Sequence, residues 1–138
     1  MKTILQVFFL LSLCFSVVFA DSFTEVKTIT LKKDEQKKIL VKYDNISKLF
    51  KFNWTLFQNG GLVIQRSYDK IVAHNILYLR HKNRSFRLDI TSKGANYYGV
   101  PYLLVRFKEF NYETNEAMFD LYLSDKEMKV VLKYLKNG

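Results

Sequence analysis

Apolar side chains recur at every second position through most of this chain, and that period decides what it can fold into. Phe50, Phe52, Trp54 and Leu56 fall on one side of an extended segment, with Lys51, Asn53 and Thr55 on the other. Successive side chains of a strand point to opposite faces, whereas a helix needs a period near 3.6. The chain therefore reads as strands with one face buried. Ile29 and Leu31 alternate with Thr28 and Thr30 in a first strand over residues 23–32. Ile39, Val41 and Tyr43 alternate with Leu40 and Lys42 in a second. Gln58, Asn59, Gly60 and Gly61 follow the Trp54 strand. Asn-Gly tolerates the two positive φ angles of a type I′ hairpin, so a return strand is expected from Leu62 to Tyr68.

The second half repeats the pattern. Residues 70–80 hold the unbroken run Ile76, Leu77, Tyr78 and Leu79, which reads as a strand covered on both faces. After a basic turn at 81–84, Phe86, Leu88 and Ile90 point inward against Arg87, Asp89 and Thr91. Residues 92–99 form a loop with two glycines, and the only proline, Pro101, begins the next strand, where a missing amide proton is tolerable. Leu103, Val105 and Phe107 define that strand; Ala117, Phe119, Leu121 and Leu123 define the last. The period then changes. Ser124 with Glu127 reads as a capping box, and Met128, Val131, Leu132 and Leu135 form a helical stripe. The expected fold is all-β and mainly antiparallel. It is a meander-rich β-sandwich or partly open barrel of about eight strands, with one C-terminal α-helix.

The N-terminus departs from this pattern. Lys2 precedes a nearly continuous apolar run from Ile4 to Phe19, and Val18-Phe19-Ala20 places small residues where a signal peptidase reads them. The run is about 16 residues, short of the roughly 20 needed to span a bilayer. Residues 1–20 thus read as a cleaved secretory signal peptide and residues 21–138 as a single β-rich domain. Cys14, the only cysteine, follows Leu13 and lacks the small preceding residue of a lipidation site. It leaves with the signal, and the mature chain then has no disulfide and no cysteine-based metal site. The expected location is periplasmic or secreted, most simply the periplasm of a Gram-negative cell, with no transmembrane segment in the mature chain.

Charge is unevenly spread over a chain of net +9. Residues 70–108 hold eight basic side chains and one acid, Asp89, whereas residues 109–138 hold four basic and six acidic ones. A positive field of this kind attracts phosphates, acidic glycans or acidic proteins. Its most pointed feature is a hairpin tip carrying Arg80, Lys82, Arg84 and Arg87, the candidate site for an anionic partner. Tyr97 and Tyr98 are candidate exposed aromatics in the following loop.

Catalytic patterns are thin. His74 and His81, the only histidines, fall roughly 23 Å apart on one extended segment. No Gly-x-Ser-x-Gly elbow, phosphate-binding glycine loop or histidine–glutamate zinc motif occurs. Glu109, Glu113 and Glu116 cluster round one hairpin and are the only carboxylates with a conceivable hydrolytic role. Sequons stand at Asn45, Asn53 and Asn83 and matter only in a host that glycosylates exported chains. The reading is of an exported, non-enzymatic β-protein that acts by binding or structural association, without cofactor or metal. Its partner is unspecified: an anionic ligand (nucleic acid, lipopolysaccharide or acidic glycan) or an envelope protein. Two alternatives are a dedicated binder of such anions through the basic hairpin, and a hydrolase using the three glutamates.

Overall fold

The computed structural model describes residues 23–92, 99–126 and 128–136, in which every regular element is a strand. The strands are β1 (Glu25–Lys32), β2 (Lys37–Tyr43), β3 (Ile46–Gln58), β4 (Gly61–Tyr68), β5 (Ile71–Tyr78), β6 (Ser85–Asp89), β7 (Tyr102–Asn111), β8 (Glu116–Ser124) and β9 (Val131–Tyr134). They form two antiparallel sheets, of order β1-β8-β7-β6 and β5-β4-β3-β2-β9. Neither sheet closes on itself, so the arrangement is sandwich-like and not a barrel. β2 to β5 run as one meander and β6 to β8 as another, each strand beside its sequence neighbour.

Period-2 patterning produces the core. Phe50, Phe52 and Trp54 of β3, with Leu62 and Ile64 of β4, meet Leu103, Val105 and Phe107 of β7 and Phe119 and Leu121 of β8, all buried. The sheets interlock through aromatic contacts. Phe52 meets Phe119 edge-on at 5.4 Å and Trp54 meets Phe110 at 5.6 Å between ring centroids, separations typical of favourable aromatic pairs. Polar ties cross the same gap: Trp54 Nε1 donates to the Leu31 carbonyl at 2.8 Å, and the Tyr68 hydroxyl donates to the Ile90 carbonyl at 2.8 Å. Trp54 is 1% exposed and belongs to the core, as its register with Phe50 and Phe52 requires.

The turns follow their chemistry. Asn59 and Gly60 sit at φ of 53° and 77°, the paired positive values of a type I′ hairpin. Asp69 and Lys70 adopt the same pair, 49° and 68°, between β4 and β5. Gly61 suits its place for another reason: a Cβ there would stand 2.9 Å from the ring of Tyr78, its cross-strand partner, which would have to shift.

Three expectations need correction, the first being Leu56, which alternation groups with Trp54 but which is 47% exposed because β3 bulges between the two. The C-terminal stripe forms no helix. Val131–Tyr134 is strand β9, paired with the free edge of β2 so that Tyr134 faces Ile39 and Val131 faces Lys42. Over four residues a period of two fits as well as one of 3.6: Leu132 and Tyr134 turn inward, Val131 and Lys133 outward. A helix of about a dozen residues is marginal by itself, whereas β2 offers a ready ladder. Asp125, placed by the sequence in a first helical turn, instead accepts the Val130 amide proton at 3.0 Å. The run from Ile76 to Leu79 is also not covered on both faces, because Leu77 is buried while Ile76 is 51% exposed. The segment 1–20 and the pair Tyr97 and Tyr98 lie outside the described residues.

Candidate functional site

Strand register assigns each residue of the five-stranded sheet to a face. Ile39, Val41, Phe50, Phe52, Leu62, Ile64 and Leu77 point to the core. Their neighbours therefore point out: Lys38, Leu40 and Lys42 on β2; Leu49, Lys51, Asn53 and Leu56 on β3; Val63, Gln65 and Ser67 on β4; Val72, His74 and Ile76 on β5; Val131 and Lys133 on β9. A bulge between Trp54 and Leu56 shifts β3 by one residue, which turns Leu56 outward beside Val63 and lets Phe57 pack inward.

Two patterns cross this outer face. One row is apolar, Leu56 against Val63 against Ile76, with Leu56 and Ile76 about half exposed. The other is cationic, four lysines set among neutral side chains. Lys38 lies directly opposite Lys51, Lys42 opposite Val131, and Lys133 opposite Leu40. None of the five strands contains an aspartate or glutamate. Among the described residues Lys38, Lys42, Lys51 and Lys133 have no ion-pair partner. Like charges placed directly opposite destabilise a sheet, so the Lys38 and Lys51 pair works against folding while concentrating positive potential.

The cations of the inward parity behave otherwise. Lys48 pairs with Asp69 at 2.9 Å, and hydrogen bonds to Asp69 and Tyr43 push its pKa up to about 12. Arg66 donates to Asn75 Oδ1 at 2.7 Å and lies over the Phe86 ring at 4.8 Å. Burial draws its pKa below the usual arginine value. Lys37 donates to the Leu135 carbonyl.

The hairpin cluster read from the sequence is dispersed. Arg84 donates from Nε to the Phe107 carbonyl at 2.7 Å and from Nη2 to the Lys108 carbonyl at 2.8 Å, fastening the turn to β7. Arg87 pairs with Asp89 at 2.7 Å and lies over the Tyr102 ring at 3.8 Å, on the outer face of the other sheet. Arg80 and Lys82 are exposed, and Lys82 lines a shallow depression with Tyr78, His81 and Asn83. The four side chains therefore have four different settings, two of them already occupied.

Glu109 and Glu116 lie on the outer face of the four-stranded sheet, and Glu113 stands in the turn, where the Asn111 side chain accepts its amide proton. None of them lines that depression or the one bounded by Lys42, Tyr43, Asp44, Met128, Lys129 and Val131. His74 is exposed on β5 and His81 stands in the turn beyond it. Asn45 lies in an exposed turn, Asn83 in the depression, and Asn53 on the outer face of β3, half-buried. Among the described residues no group of three His, Cys, Asp or Glu is placed to hold a metal ion, and no helix is long and apolar enough to cross a membrane.

Sequence reasoning by chain segment missed the lysine face, because its members come from residues 37–51 and from the net-acidic C-terminal third. The signal lay in parity: from Ile46 to Tyr68 there is no acidic residue, and the outward positions can be read off strand by strand. Comparison with family models, with curated proteins and with solved structures finds no match for this chain.

Proposed function

We propose that the protein is an exported, non-enzymatic binding protein of the periplasm or cell exterior, and that it holds an anionic partner against the outer face of its five-stranded sheet. One observation carries this reading: four lysines with no ion-pair partner among the described residues share that face with exposed apolar side chains, and none of its five strands holds an acid. Basic side chains supply affinity for phosphate, sulfate or carboxylate polymers through released counterions. The apolar row adds contact area that a face kept only for solubility does not need. Export rests on residues 1–20, whose order of charge, apolar run and small residues matches a cleaved leader.

The test uses heparin and a DNA duplex, titrated at several salt concentrations. Changing Lys38, Lys42, Lys51 and Lys133 to Gln is expected to lower affinity at least tenfold and to flatten the log–log salt slope by about three. Changing Arg80, Lys82, Arg84 and Arg87 to Gln is expected to do much less, since Arg84 and Arg87 are already engaged. Equal losses from both sets would leave only a generally basic protein. A larger loss from the second set would move the site to the hairpin. Export is checked by sequencing the N-terminus of the protein recovered outside the cytoplasm, with Asp21 expected first.

A further inference from the structure

The four edges of the two sheets are not equally defended. β1 carries Glu25, Lys27 and Lys32; β6 is five residues long and carries Arg87 and Asp89; β9 is four residues long and carries Lys133. β5 is eight residues long and holds no Asp, Glu, Lys or Arg. Ile71 and Val72 are 74% and 66% exposed. A long, uncharged, apolar edge is a template for another strand, and charges or short length are the usual protection.

Which backbone groups of β5 are open follows from the hairpins. Tyr68 and Ile71 close a two-residue turn, so they exchange hydrogen bonds, and the ladder alternates from there. Ile71, Ala73, Asn75 and Leu77 therefore turn their amides and carbonyls to β4. Val72, His74, Ile76 and Tyr78 turn theirs away. The Tyr78 amide confirms the parity: it donates to the Asn83 carbonyl at 2.8 Å, across the turn that follows β5. Val72, His74 and Ile76 have no such bond among the described residues. The open stretch is thus three residues of one parity, centred on His74.

We propose that two copies of this chain pair along β5, antiparallel, about a two-fold axis at His74. The open stretch is its own complement. In this register His74 faces His74 of the second copy, and Val72 of each copy faces Ile76 of the other. Every open amide and carbonyl of Val72, His74 and Ile76 then has a partner, and the outer faces of both sheets lie on one side. Charge selects the same arrangement. Both chains are strongly basic and repel, and β5 itself carries no cation to set against another. The antiparallel direction sets the Arg80 end of one strand beside the Asp69-Lys70 turn of the other, which is neutral in sum, where a parallel one would set Arg80 against Arg80. The two-sheet unit becomes one continuous sheet of ten strands facing a pair of four-stranded ones.

This inference does not rest on the anionic reading, and its experiment contains no polyanion. Sedimentation of the full chain, as its host produces it, from about 1 to 500 μM should show the mass rising towards twice the monomer, as a small interface dictates. His74→Pro removes one outward amide and no bond to β4, and His74→Lys opposes two cations. Both are expected to stay monomeric with an unchanged strand signal in circular dichroism. In a Cys14→Ser background, His74→Cys places two Cα atoms about 5.5 Å apart in the pair, within disulfide reach. Val72→Cys places its two roughly 13 Å apart. Oxidation should cross-link the first at least tenfold faster. A chain that stays monomeric throughout would overturn the proposal. So would dimers that survive both His74 substitutions, or equal cross-linking at the two cysteine positions.

Discussion

The two sheets share one core and differ in their electrostatics, one balanced and one positive. The four strands β1, β6, β7 and β8 hold five basic residues (Lys27, Lys32, Arg87, Arg106, Lys108) and five acidic ones (Glu25, Asp89, Glu109, Glu116, Asp120). On their outer face Arg87 meets Asp89 at 2.7 Å, and Arg106 stands opposite Asp120 in register. The five strands of the other sheet hold Lys37, Lys38, Lys42, Lys48, Lys51, Arg66 and Lys133 and no acid. Of these seven, Lys37, Lys48 and Arg66 find partners on the inward parity. The outward four do not. One face settles its charge within the molecule; the other keeps a surplus of lysines that have no ion-pair partner among the described residues.

That contrast belongs to the outer faces alone, so a change between the sheets should strike both together. Trp54 is the sharpest place to test this, since its indole donates to Leu31 on β1 while its ring packs on Phe110 of β7. Trp54→Ala is expected to cost on the order of 3–5 kcal/mol, from lost burial and the cavity left behind. Urea unfolding followed by tyrosine absorbance and by circular dichroism should give one shared transition in both proteins. Two separate transitions would make the sheets independent units, and the comparison would then concern two domains.

The alternation that buries Trp54 is also what made the fold legible. Eight strands, the Asn59-Gly60 hairpin and the inward set Phe86, Leu88, Leu103, Val105, Phe119 and Leu121 follow from period two and turn chemistry, because each strand is long enough to show several repeats. β9 was not legible. Its four residues satisfy both periods, and the choice is made by an open edge of β2 contributed by residues some ninety positions earlier. The candidate site failed to appear for a related reason. Charge summed along the chain pointed to residues 70–108, but Arg84 is spent on two carbonyls and Arg87 on Asp89, while Lys38, Lys51 and Lys133 converge only once β2, β3 and β9 are adjacent. Pairing brings together what sequence distance hides.

The five-stranded sheet should also be the alkali-sensitive one. Burial raises the Tyr68 pKa to about 12 and pushes Tyr134 higher still, and bonding to Asp69 and Tyr43 raises Lys48 to about 12. In each case the folded state holds its proton more tightly than the unfolded chain. The stability this supplies is complete below about pH 10 and is lost as pH climbs towards 12. Tyr134 is the cleanest probe, because its hydroxyl is buried with no hydrogen-bond partner among the described residues. Tyr134→Phe keeps the ring under Lys27, whose ammonium lies 3.9 Å from its centre. The substitution is expected to stabilise by about 1 kcal/mol, since an unsatisfied buried hydroxyl is costly. It should also reduce the loss between pH 9 and 11, read from urea midpoints at both. An undiminished alkaline loss would take Tyr134 out of the account and leave it to Tyr68 and Lys48.

The smallest effect speaks most directly to the contrast. Lys51 faces Lys38 across β2 and β3, as Arg106 faces Asp120 across β7 and β8. Lys51→Glu turns the first pair from repulsive to attractive and moves the lysine face towards the balance its counterpart has. Cross-strand charge pairs contribute roughly 0.2–1 kcal/mol, so Lys51→Glu should stabilise by a few tenths of a kcal/mol, and Arg106→Glu should destabilise by as much. The same Lys51→Glu protein should bind heparin more weakly, while Arg106→Glu, on the balanced face, should bind as before. A gain in stability joined to a loss of binding is the signature of a surface held for a partner at some expense to the fold. If Lys51→Glu instead lowers the urea midpoint, the Lys51 ammonium has a stabilising place within the molecule. The asymmetry of the two faces would then be a matter of folding and not of recognition.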